Sequence, residues 1–204
     1  MTPIPMSVFA NAEHRISAYR TYFGIAKINQ DLFQECKQTR VAREANLGEE
    51  ELAEAFETID RLMEQQWQAA IIAVTFACMT LEAFFYDYAA DVLGDQYVKD
   101  HLDKLDLPSK YLLYPKLVCG TGPKKCERTF ELVKNLARLR NDLVHAKSKA
   151  FPLTQLEAAA EHYDDYHKRL EEGTDDAIRC VLAVMRELDK LHGTDSFEKY
   201  MVAY

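Results

Sequence analysis

The chain has 204 residues, 28% of them charged and 48% apolar, with a formal net charge of −8. That is long enough to bury one sizeable core and too mixed for a disordered or fibrous chain, so a single domain over residues 1–204 is expected. The acidic balance excludes a protein that coats nucleic acid over its whole surface. Residues 110–149 nevertheless hold ten basic side chains against three acidic ones, a local +7 that leaves −15 for the remainder. Phosphates respond to nearby charge rather than to the total, so this segment is either an anion-binding face or a solvated lysine-rich one.

In chain order, the opening MTPIPMSVFANAEHR has no basic stretch followed by an apolar run, hence no secretory signal and an expected cytoplasmic location. A first helix is predicted over about 10–38. A second covers about 49–92, where apolar residues fall at 52, 56, 59, 63, 67, 70, 74, 78, 81, 85, 88 and 92. Those steps of three and four draw one continuous face that no Gly or Pro breaks, and this helix is the expected spine. Its uncharged run, 65–81, has 17 residues and begins with three glutamines in four positions, which falls short of a membrane span.

Pro108 and Pro115 break residues 94–122 into a connection with one or two short helices. A third main helix runs from about 126 to 145, stopped by AKSKAFP ahead of Pro152. Thr154 and Glu157 match a capping box for a helix to about 170. Thr174, with Asp175 and Asp176, opens a last helix that Gly193 ends. With no alternating pattern and only 7 Gly and 6 Pro, the fold class is an all-α bundle of about five main helices around a long central one.

Several constellations carry no chemistry. CGTGPKKC lacks phosphate-loop spacing and a preceding strand. Cys119 and Cys126 lack the close pairs of a zinc site, and His162 and His167, five apart on a helix, splay; no metal and no cofactor are assigned. The five cysteines, at 36, 78, 119, 126 and 180, read as reduced structural thiols. Glu82 reads first as a structural carboxylate pairing a core arginine, and the aromatic run 84–88 as packing.

The stretch RLRNDLVHAKSK, 138–149, ends the third main helix. At about 100° per residue, Leu132, Leu136, Leu139 and Leu143 share one face. Val133, Ala137 and Val144 form a second stripe about 110° away, with Arg140 between the two. So broad an apolar arc suggests one side against the bundle and another against a partner chain. His145 lies about 140° round from Arg140, with Asn141 between them, so one helix does not aim both at a single phosphate. Two copies related by a two-fold axis bring two arginines and two histidines to one cleft.

Arginine, asparagine, three residues and histidine at the end of a late helix resemble the HEPN (higher eukaryotes and prokaryotes nucleotide-binding) family, whose motif is an arginine, four to six residues and a histidine. The resemblance covers about 50–192, including the long helix ending LEAFFYDYA. It implies a homodimeric, metal-independent endoribonuclease acting on RNA, a toxin or defence effector with an antitoxin or other partner protein and no membrane. The implied catalytic residues are Arg140, His145 and Asn141, with Glu82 and Arg138 in support and Lys134, Lys147 and Lys149 on RNA phosphates. One subgroup has a tyrosine two residues past the histidine that a partner nucleotidyltransferase modifies; here that place is Lys147. Arg138 to His145 and Arg186 to His192 also satisfy the loose motif. A non-catalytic nucleotide- or RNA-binding domain and a helical protein-interaction module are the alternatives.

Overall fold

The computed structural model describes residues 17–46, 52–145 and 152–202. Seven α-helices, rather than the expected five main ones, and no strand occur among the described residues: α1 (Tyr19–Ala45), α2 (Leu52–Leu93), α3 (Asp95–His101), α4 (Leu107–Cys119), α5 (Arg128–Val144), α6 (Leu156–His192) and α7 (Ser196–Val202).

The long spine is α2, 42 residues without a break. Its Ala69, Ala70, Ala73, Val74, Ala77, Leu81 and Phe85 are all at most 1% exposed, because small side chains let neighbouring helices approach closely while Leu81 and Phe85 fill the wider spaces. By length and composition alone, Ala55–Leu93 would suffice to cross a membrane. A core helix passes the same test, and 56% of its most apolar window is buried within the protein.

Helix α1 lies antiparallel to α2: Tyr19 meets Phe84, Tyr22 meets Phe76 and Arg40 Nε donates to Gln66 Oε1 at 3.2 Å. Helix α6 runs parallel to α2, with Trp67 beside His167 at one end and Tyr88 beside His192 at the other. The connection holds two short helices as expected, α3 and α4, but Pro115 does not break it. Asp106 caps α4 by accepting from Ser109 N at 2.8 Å, Pro108 occupies the first turn where a donor is dispensable, and Pro115 is carried inside the helix.

The chain departs from expectation at α6, which is one helix of 37 residues rather than two. Thr174 does not cap a new helix: it is fully buried and its hydroxyl donates back to Leu170 O at 2.7 Å. Gly173 does not stop the helix either. A Cβ there would lie 2.0 Å from Leu139 Cδ2, so glycine is what lets α5 and α6 touch. The Thr154 capping box is also absent; the N-cap is Gln155, with no side-chain cap bond.

Gly193, in the left-handed region at φ 65°, ends α6 as expected, and an unexpected α7 follows. Asp189, 6% exposed, holds α7 in place: it accepts from Thr194 Oγ1 at 2.8 Å and from the backbone N–H of Phe197 and Glu198 at 3.0 Å each. Cys36, Cys78 and Cys180 are buried free thiols. Burial pushes the Cys78 thiol up to about 12, and Cys180, beside it, is raised for the same reason.

Candidate functional site

Residues 138–144 of the stretch RLRNDLVHAKSK form the last two turns of α5, and residues 146–149 lie outside the described residues. This helix buries Val133 and Leu136 completely or nearly so, while Leu132, Leu139 and Leu143 pack half-buried at the edge of the core. The second apolar stripe is therefore covered mainly by the chain's own bundle. Only Val144, 55% exposed, is left over for another surface.

The helix stops because His145 leaves helical geometry at φ −108°, ψ 26°, its N–H still donating to Asn141 O at 2.9 Å. Both Asn141 and His145 are exposed, and Arg140 is half-buried. Arg140 Nη1 donates to the Asn141 side-chain oxygen at 3.0 Å. Its Nε is enclosed and has no partner. None of the ion pairs among the described residues involves Arg140.

A guanidinium wants five hydrogen bonds in a planar fork, and an enclosed N–H without a partner costs about 1–3 kcal/mol. Arg140 thus has a positive charge, a fixed orientation and unfilled donor capacity at the end of a helix. The helix dipole puts about half a negative charge at this end. An anion held here must be attracted by the side chains alone.

Glu82 is half-buried on α2 and, contrary to the structural reading, joins none of the ion pairs among the described residues. Its charge and that of Arg140 both reach the Cys78 thiol, Glu82 raising it and Arg140 lowering it after burial has done most. Both candidates, one on α2 and one on α5, are therefore within electrostatic reach of Cys78. The expected supporting role of Arg138 is less direct. It is exposed on a groove of about 250 Å³ between α5 and α6, shared with Asp142, Glu172 and Asp176, and Arg169 there lies 3.9 Å from Asp142.

On the helical wheel His145 lies between Arg138 and Lys134, about 20° from each, so these three share the solvent face that Arg140 leaves. Lys134 is 3.4 Å from Glu131. Lys147 and Lys149 lie outside the described residues. Within one chain, then, the structure joins Arg140 to Asn141 and leaves His145 on another face.

The second arginine-to-histidine segment is closed. Arg186 Nε and Nη2 donate to Glu198 Oε1 at 2.7 and 2.6 Å, and His192 Nε2 lies 2.7 Å from Tyr88 Oη. Among the described residues no three His, Cys, Asp or Glu side chains converge as metal ligands. Sequence reasoning missed the cavity that α7 closes over Phe84 and Tyr88; the signal was Gly193 followed by Ser196 and an amphipathic SFEKYMV. No protein-family model matches the chain, and no curated protein or solved structure matches it.

Proposed function

We propose that the chain is a HEPN-type, metal-independent endoribonuclease that works as a homodimer in the cytoplasm, as a toxin or defence effector. The observation that carries this reading is Arg140: half-buried, oriented by Asn141, enclosed at Nε without a partner and joined to no carboxylate among the described residues. Such a group is completed by an oxyanion.

RNA carries its own nucleophile. His145 takes the proton of the 2′-hydroxyl, the oxygen attacks the adjacent phosphorus, and the 5′-oxygen leaves as it gains a proton, giving a 2′,3′-cyclic phosphate and a 5′-hydroxyl. Arg140 binds the non-bridging oxygens as charge builds on them. Because Arg140 and His145 occupy different faces of α5, a second copy supplies the complementary group. The exposed Val144 beside them is a contact point for that copy.

RNA cleavage in EDTA tests the reading. Wild type is expected to cut, and Arg140→Ala and His145→Ala to lose about 10²- to 10⁴-fold. Undiminished cleavage by both variants removes the site, and a monomer that still cleaves removes the shared geometry. Tight RNA binding without cleavage favours the non-catalytic alternative.

A further inference from the structure

A cavity of about 240 Å³ lies where α1, the C-terminal part of α2, the end of α6 and α7 meet. It is separate from the Arg140 region: Tyr88 stands ten residues beyond Cys78 on α2, about 15 Å along the helix. Its volume exceeds the roughly 150 Å³ that suffices to hold benzene. Five aromatic rings, those of Tyr19, Phe84, Tyr88, Phe197 and Tyr200, form the walls. Tyr19 meets Phe84 edge to face at 5.5 Å and Phe84 meets Phe197 likewise at 5.8 Å, an arrangement that a further ring can join by its face or by its edge.

The walls are held in place. Asp189 accepts from the backbone N–H of Phe197 and Glu198, which fixes α7, and Tyr88 Oη meets His192 Nε2 at 2.7 Å, which ties α2 to α6. The titratable rings of the lining are uncharged at neutral pH: burial pushes the Tyr19 phenol up to about 12, raises Tyr88 as well and lowers His192 from its ordinary 6.5. The carboxylates of Asp87 and Asp91, also in the lining, and the guanidinium of Arg20 all have partners already, and Arg20 stacks 4.2 Å from the centre of the Tyr200 ring. A molecule that enters therefore meets aromatic rings and no charge in want of a partner.

We infer that this aromatic cavity binds a small neutral aromatic molecule, about one substituted ring in size. Burial of an uncharged ring costs no unpaired charge, and ring-on-ring contacts add to the apolar area removed from water. A preformed, mostly apolar cavity of this kind needs little reorganisation to accept such a ligand. The assignment is independent of the RNA reading, since none of its lining residues belongs to α5.

Calorimetric titration of the full chain with benzyl alcohol tests this, beside three molecules of nearly the same size: cyclohexylmethanol, which lacks the π system, and benzoate and benzylamine, which carry a charge of either sign. Benzyl alcohol is expected to bind saturably and about threefold more tightly than cyclohexylmethanol, although the saturated ring is the more apolar. Either charged ring is expected to bind at least about tenfold more weakly. Tyr200→Ala removes one wall at a side chain that is 55% exposed, so its unfolding transition is expected to stay that of the wild type. Its benzyl alcohol affinity is expected to fall about fivefold. No saturable benzyl alcohol binding, equal or tighter binding of cyclohexylmethanol, a charged ring bound as tightly, or an affinity unchanged in Tyr200→Ala overturns the assignment.

Discussion

Two segments of this chain place an arginine a little ahead of a histidine, and they differ in what surrounds them. Around Arg186 and His192 every strong group has met its partner: Glu198 takes the guanidinium, Tyr88 meets the imidazole, and Asp189 between them receives one hydroxyl and two backbone donors. Around Arg140 and His145 the guanidinium meets only the Asn141 oxygen, Asp142 lies 3.9 Å from Arg169, and the Arg140 Nε is enclosed with nothing to bond. The first segment is a clasp that holds α7 to α6. The second is oriented but incomplete, which is the condition of a binding site. Spacing alone does not separate them; hydrogen-bond satisfaction does.

The clasp is most sharply broken at Asp189. Asp189→Ala leaves two backbone N–H groups of α7 and the Thr194 hydroxyl without an acceptor, and is expected to cost about 3 kcal/mol in chemical denaturation. Asn141→Ala, in the open segment, is expected to cost well under 1 kcal/mol in the same experiment, because Asn141 is exposed and its one bond is to a neighbour. Similar losses from the two would mean that the open segment is as structural as the closed one.

Gly173 comes next, because it sets how closely α5, which carries the open segment, approaches α6. Alanine is favoured by about 1 kcal/mol in a helix, yet here its Cβ would strike Leu139. Leu139 is half-buried and can yield only partly, so Gly173→Ala is expected to be destabilising by about 1 kcal/mol. In a Leu139→Ala background the same change is expected to stabilise. A double-mutant cycle without that reversal would remove Gly173 from the helix contact.

Protonation bears on the closed segment and on the Trp67 end of α6. His192 and His167 are both lowered from the ordinary 6.5, chiefly by burial. The unfolded chain therefore binds their protons first, so the stability they contribute is fully present above pH 6.5 and is lost as pH falls below it toward their folded values. Denaturation midpoints are expected to drop between pH 7 and 5.5, and His192→Gln to flatten part of that slope. A slope unchanged by His192→Gln assigns the effect elsewhere. The smallest effect is at Lys134, whose ion pair with Glu131 is fully on the surface. Lys134→Ala is expected to change stability by less than about 0.5 kcal/mol while reducing the salt dependence of RNA binding by about one counterion.

Much of this fold was legible in the sequence because local rules and packing agree. The unbroken three-and-four periodicity of α2, the stop of α5 before AKSKAFP and Gly193 at the end of α6 each follow from neighbours along the chain. The continuity of α6 was not legible, because Gly173 and Thr174 look like a stop and a start locally. Leu139 across the interface and the hydroxyl bond to Leu170 reverse both meanings. For the site, the wheel placed Arg140 between two apolar stripes and His145 on another face. It could not show that Val133 is covered within the chain, that Glu82 joins no ion pair among the described residues, or that Arg140 Nε is enclosed. Those properties depend on how α5 packs against α2, α4 and α6, which local sequence does not carry.

The contrast between the closed and open segments is tested most directly by one side-by-side assay: RNA cleavage by wild type, Arg140→Ala and Arg186→Ala under identical conditions with EDTA. The expected result is a loss of at least about 10²-fold for Arg140→Ala and a rate within about twofold of wild type for Arg186→Ala at a temperature where it is folded. Equal rates for the two arginine variants, whether both lowered or both intact, would contradict the account.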